Sequence, residues 1–149
     1  MPHTAWGPYP DTVLVLPEAG IEIDLRRPLT TTARRALADS GLGGPFAVVT
    51  ACNPLGRSLE SASNLRLAAV LTALVRDRHP PPRRVDGRSP DGRHIEPGWA
   101  LSLPLEAAKA IAARFFQNAL FWYDGERFHL VPVLAAGQRV ALPVEPVAP

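Results

Sequence analysis

Two ionisable side chains, His94 and Glu96, sit two positions apart in the segment His94-Ile95-Glu96-Pro97. On an extended backbone such a spacing turns both groups to one side. A His–Glu pair can supply a general base and its orienter, or two ligands of a metal. No third ligand stands at a diagnostic spacing, so no metal site is expected. Pro97 restricts Glu96 to an extended backbone and holds it in place. Glu96 and His94 are the candidate catalytic residues.

The second group consists of amides. Asn53 follows the apolar run Phe46–Thr50, and Asn64 lies three residues before Leu67 and seven before Leu71. Helical geometry turns Asn64 toward the buried stripe, near the end of the preceding strand. Gln117-Asn118 falls between a helical pattern and the strong strand ALFWY. Each amide offers both a donor and an acceptor, and a buried one needs partners. Asn53, Asn64, Gln117, Asn118 and the nearby Arg57 are the candidate ligand-binding residues, and local backbone capping is the competing role for the amides.

Other chemistry finds little support. Cys52 is the only cysteine, so there is no internal disulfide and no thiolate cluster, and no base is placed to activate it. Ser58, Ser61 and Ser63 lack a nucleophile-elbow context. The glycines at 41, 43, 44 and 56 form no dinucleotide or phosphate-loop fingerprint, and no cofactor is expected.

Strands and helices must position these groups. The chain has 149 residues and 46% hydrophobic content, the size and composition of one folded domain. Residues 1–10 and 143–149 are rich in proline and read as arms around a core of about 12–142, on which Trp6 and Tyr9 can dock. Thr12–Leu16 and Ile21–Leu25 read as paired strands. Thr30–Ser40 reads as a helix capped by Thr30 or Thr31 and stopped by glycines. Phe46–Thr50 reads as a central strand. A helix capped by Ser58 or Ser61 then runs to about Arg78, with Leu67, Val70, Leu71 and Leu74 inward and the prolines at 80–82 ending it.

Residues 83–95 read as a loop or irregular hairpin, and Trp99–Leu103 as a strand. Pro104 opens a helix with Leu105, Ala108, Ile111, Ala112 and Phe115 on one side. Asn118–Tyr123 and Arg127–Val133 flank the hairpin signal Asp124-Gly125, and Arg139–Leu142 closes the series. The expected fold is an α/β single-domain sandwich, a mixed β-sheet packed by about three helices.

Charge adds a partner question. The formal net charge is +2, yet Arg76, Arg78, Arg83, Arg84, Arg88 and Arg93 crowd one segment, interrupted by Asp77, Asp86 and Asp91. Such a stretch can attract an anion or nucleic acid. No aromatic residue interleaves with it, so a solvated connector is the expectation and nucleic acid is not. No apolar run approaches 18 residues, and a cytoplasmic protein without a membrane span is expected.

Four segments taken together resemble the DUF3293 family, small bacterial proteins whose biochemical role is not established. They are Phe46–Pro54 (FAVVTACNP), Ser61–Leu67 containing Asn64, Glu96-Pro97 before Trp99, and Phe116–Trp122 (FQNALFW). The resemblance spans roughly residues 46–133. Cys52 departs from the tryptophan of the family's TAWNP strand end. The resemblance implies that Asn53, Asn64, Glu96, Gln117 and Asn118 form a shared surface, and it implies no reaction.

Three functions remain open. The favoured one binds a small polar, anionic or nucleotide-like ligand through the clustered amides and Glu96. The second is a small hydrolase or transferase with Glu96 or His94 as base, which requires an enclosed and perturbed group. The third is a protein-interaction domain. Oligomeric state is not legible.

Overall fold

The structure, a computed structural model, describes residues 7–144. Its eight strands form one sheet: β1 (Val13–Leu16), β2 (Ile21–Asp24), β3 (Phe46–Thr50), β4 (Arg83–Arg88), β5 (Ile95–Leu101), β6 (Ala119–Tyr123), β7 (Phe128–Pro132) and β8 (Val140–Ala141). The helices are α1 (Thr31–Asp39), α2 (Ser61–Val75) and α3 (Leu105–Arg114). Across the sheet the order is β2-β1-β4-β5-β3-β6-β7-β8, which places β3 and β5 at the centre.

Every strand pair is antiparallel, so the α/β class and the three helices stand while the sheet is uniform rather than mixed. The reason lies in residues 83–95. Arg83–Arg88 is not a loop: it pairs with β1 on one side and β5 on the other, and Val85 is fully buried. An arginine-rich strand carries too few apolar residues to announce itself. Its backbone donors and acceptors are satisfied by two neighbours that only the tertiary structure supplies.

The two faces carry separate cores. Leu14, Ile23, Leu37, Phe46, Val48, Ala100 and Phe121 pack under α1, whereas Val49, Leu71, Val75, Leu101, Ile111 and Trp122 pack under α2 and α3. Period-two alternation assigns the faces: Val48 and Ala100 go one way, Val49 and Leu101 the other. In α2 the inward stripe is Leu67, Leu71, Leu74 and Val75. Val70 is 58% exposed, contrary to expectation, and the helix ends at Val75 rather than Arg78. Neither Ser58 nor Ser61 caps it: Glu60 stands at the cap position without a side-chain cap bond, and Ser61 is the first helical residue.

Local signals largely hold. Thr30 Oγ1 accepts the Ala33 amide at 3.0 Å as the cap of α1. The β6–β7 hairpin turns at Asp124-Gly125, where Asp124 Oδ1 accepts the Glu126 and Arg127 amides. Gly98 is required in β5, because a Cβ there would lie 2.6 Å from the Val49 carbonyl oxygen and 3.3 Å from that of Val85. Tyr9 docks edge-on against Phe121 with ring centroids 6.2 Å apart; the expectation for Trp6 lies outside the described residues. Among the described residues no helix is long and apolar enough to cross a membrane.

Candidate functional site

The end of β3 is where the chain stops behaving like a sheet. Thr50 is paired with Gly98, but β5 continues past it through Pro97 and Glu96. A residue in a strand points its N–H and C=O to the same side. Pro97 directs its carbonyl toward β3, where Thr50 Oγ1 donates to it at 2.9 Å, so its missing amide falls in the notch beyond Thr50 and costs no ladder bond. Thr50 Oγ1 also accepts the Cys52 amide at 3.2 Å, which starts the turn.

Asn53 then takes a left-handed backbone, φ 50° and ψ 60°, which asparagine tolerates better than most residues. Asn64, in the first turn of α2, clamps it. Asn53 donates its backbone N–H to Asn64 Oδ1 at 2.9 Å, and Asn64 Nδ2 donates to Asn53 Oδ1 at 2.8 Å. Asn53 Oδ1 accepts the Leu59 amide as well, at 3.0 Å. The two amides therefore meet, and much of their capacity goes into fixing the loop.

A third element closes on the same place. The end of α3 is a Schellman cap: Gln117 N–H donates to Ala112 O and Phe116 N–H to Ala113 O. Phe116 takes the left-handed position with φ 54°. At the end of α1 the same bonds, Leu42 to Leu37 and Gly41 to Ala38, are made with glycine in that place. Leu55, also left-handed at φ 56°, donates its amide to the Phe116 carbonyl at 2.7 Å. Among the described residues, all three non-glycine positions with positive φ (Asn53, Leu55 and Phe116) converge at this junction. Gln117, only 3% exposed, donates from Nε2 to the carbonyls of Cys52 at 3.0 Å and Phe115 at 3.1 Å, tying α3 to the end of β3.

Glu96 faces this junction. Alternation along β5 places it on the Ala100 face, beside Gly98, and it is half-buried. Burial raises its carboxyl pKa, while the Asn53 side chain and His94 act against the rise without cancelling it. Its charge is felt by the Cys52 thiol and the Tyr9 phenol, both already raised mainly by burial. Among the described residues no arginine or lysine pairs with it.

Tyr9 was not a candidate from its sequence context beyond docking. It reaches the site because the segment before β1 crosses the sheet face. A Cβ at Gly87, the β4 partner of Glu96, would meet the Thr12 methyl at 3.7 Å and the Glu96 carbonyl at 3.9 Å, and beyond it Tyr9 rests on Phe121 of β6. The proline-flanked aromatic Pro8-Tyr9-Pro10 is the only sequence signal.

The remaining candidates occupy the margins. Asn118 Nδ2 lies 3.5 Å from where a Gly56 Cβ would stand, and its carbonyl accepts the Val133 and Ala135 amides. Arg57 is exposed on the loop. His94 is exposed in the β4–β5 turn, outside β5, with its backbone bonded to Ser89. The orienting partnership expected of His94 therefore reduces to a nearby charge. Among the described residues no group of three His, Cys, Asp or Glu side chains could hold a metal ion. The basic segment is partly neutralised, from within by Arg84–Asp86 and Arg93–Asp91 and from β2 by Arg88–Glu22.

Residues 49–120 match the DUF3293 family, described as a protein of unknown function. That span, a little under half of the chain, contains Asn53, Arg57, Asn64, His94, Glu96, Gln117 and Asn118 but not Tyr9. No curated protein and no solved structure matches.

Proposed function

We infer that the junction of β3, α2 and α3 binds a small polar ligand, and that Glu96 is the group that recognises it. The observation that carries this reading is the state of Glu96: a half-buried carboxylate, raised by burial, with no arginine or lysine partner among the described residues. A charge removed from water with only the Asn53 side chain beside it and no cationic partner is costly, and a ligand hydroxyl or ammonium group supplies further donors. Asn53, held rigid by Asn64, offers the remaining amide capacity beside it. The strained backbone at Asn53, Leu55 and Phe116 supports the same reading, since conformations of this cost concentrate where a chain serves a ligand.

Catalysis is the second reading, favoured by the same raised pKa, which suits a general base. Glu96 would act in it without His94 as an enclosed partner, because His94 is exposed.

Native mass spectrometry of the purified protein, followed by denaturing extraction, tests the binding reading. A stoichiometric small molecule retained by the wild type and lost from Glu96→Gln supports it. Where the protein emerges empty, saturation-transfer NMR with ethanolamine, ribose and adenosine as probes takes over. Transfer that is identical in Glu96→Gln, or absent for all three probes, counts against Glu96 as the recognition group.

A further inference from the structure

A second concavity lies at the other end of β6. The Asn118 end of that strand meets the junction described above, while Tyr123 leads into the β6–β7 turn, about 13 Å away along four strand residues. There a cleft of about 540 Å3 is walled by the β2–α1 connection, the first turns of α1, the β6–β7 turn and the segment after β8. Such a volume falls within the usual range for small-molecule sites.

The lining has two characters. Leu29, Leu142, Pro143 and Val144 form an apolar side. Leu142 anchors it: the residue is buried, and its amide donates to the Phe128 carbonyl at 2.9 Å. Opposite stand Arg26, Arg34, Glu126 and Arg127. Arg26 is already engaged by Asp24, with Nε at 3.0 Å from Oδ1 and Nη2 at 2.8 Å from Oδ2. Arg34 and Arg127 make no ion pair with any described residue, and neither does Glu126. With the Arg26–Asp24 pair counted as neutral, two positive charges and one negative charge remain, a balance of one positive charge.

We propose that this cleft binds a small carboxylate that carries a compact apolar group. The apolar group lies against Leu29, Leu142 and Val144, and the carboxylate is held between Arg34 and Arg127, whose planar guanidinium forks match its geometry. One carboxylate brings the lining to neutrality, whereas a phosphate monoester near its second ionisation leaves it negative beside Glu126. The charge balance therefore selects the carboxylate. The site is separate from Glu96, and neither depends on the other.

Titration of the 15N-labelled protein with sodium benzoate, followed by amide shifts, tests the proposal, with benzamide as the neutral isostere and phenyl phosphate as the dianionic one. The expected result is saturable movement of the Leu29, Glu126, Arg127 and Leu142 amides with benzoate, and weaker binding of both isosteres. Arg34→Gln and Arg127→Gln each weaken benzoate about tenfold, the usual worth of a charge-assisted contact. Glu126→Gln strengthens it. These side chains are exposed, so the variants keep the fold and the unmoved amide spectrum reports that directly. Non-saturating shifts, equal binding of benzamide, tighter binding of phenyl phosphate, or indifference to both arginine substitutions would each overturn the assignment.

Discussion

Asn53 and Asn64 exchange two hydrogen bonds, one through the Asn53 backbone amide at 2.9 Å and one between the side chains at 2.8 Å. The twelve residues from Asn53 to Asn64, three of them with positive φ (Asn53, Leu55 and Gly56), are closed by that exchange. The orientation of both amides follows from it: Asn64 Oδ1 must face the backbone donor, which leaves Nδ2 for Asn53 Oδ1.

Asn64→Ala leaves the Asn53 backbone N–H without its partner and removes one of the two donors to Asn53 Oδ1, the Leu59 amide remaining. The expected cost is about 1–3 kcal/mol of unfolding free energy. Asn64→Asp retains the acceptor for the backbone amide but sets a carboxylate oxygen against Asn53 Oδ1, so it loses nearly as much at neutral pH. Urea titration of the three proteins measures the order. An Asp variant as stable as wild type would mean the side-chain exchange contributes nothing.

Glu96 imposes a pH dependence of definite sign. Its folded pKa lies above the ordinary 4.5 because burial disfavours the charged form. Between the unfolded and folded values the native state binds more protons, so stability falls as pH rises through that window. Below it the charge, and its penalty, are absent. Relative to wild type, Glu96→Gln therefore gains stability as pH rises through that window and keeps the gain at neutral pH. Thermal melts at pH 4 and pH 7 read the difference, and a gap that stays constant or narrows with pH would contradict the burial.

Asp124 works in the opposite sense. Burial alone raises its pKa, but the Arg127 and Glu126 amides and His129, whose Nε2 lies 2.7 Å from Oδ2, outweigh it and hold the group at about 2. A depressed folded pKa contributes stability above the ordinary 3.8 that is lost as pH falls toward 2. With the side chain 32% exposed, the contribution is about 1 kcal/mol after solvent screening. Asp124→Asn keeps the turn but removes this acid-limb dependence, which acid titration followed by circular dichroism detects.

Gly98→Ala meets backbone oxygen on both sides, at 2.6 Å from Val49 and 3.3 Å from Val85. Neither neighbour is a flexible side-chain end, so the central strands must separate. The loss is expected to reach about 3 kcal/mol, at the upper end for overpacking, or to prevent folding. A melting temperature within a few degrees of wild type would show that the sheet gives way more easily than this geometry allows.

Phe116→Gly is nearly neutral instead. The residue occupies the position that α1 gives to Gly41, and it is 56% exposed. Relief of the left-handed strain, about 1–2 kcal/mol, is offset by the added entropy of the unfolded glycine, about 0.4–1 kcal/mol, and by the lost burial of the covered part of the ring, about 1 kcal/mol. Stability within about 1 kcal/mol of wild type is expected by urea titration. A loss of about 3 kcal/mol or more, the usual cost of truncating a core phenylalanine, would remove strain from the account of this junction.

Wherever the signal was local, the sequence was readable. The Asp124-Gly125 turn, the Thr30 cap, the Gly41 stop and the apolar side of α3 depend on residues within one or two turns of each other. Asn53, Asn64, Gln117 and Glu96 were legible as polar groups placed at element ends. Arg83–Arg88 was not legible as a strand, because its pairing partners Val13–Val15 and Ile95–Ala100 lie elsewhere in the chain.

By itself the sequence determined most of the elements, the apolar side of α3 and the absence of a cysteine pair or phosphate loop, since each follows from side-chain chemistry and short-range periodicity. The tertiary structure alone decided the antiparallel order of the strands, the burial of Glu96 and the arrival of Tyr9 beside a carboxylate 87 positions later in the chain. Those depend on which faces find partners across the sheet, and that choice is made by burial summed over the whole domain.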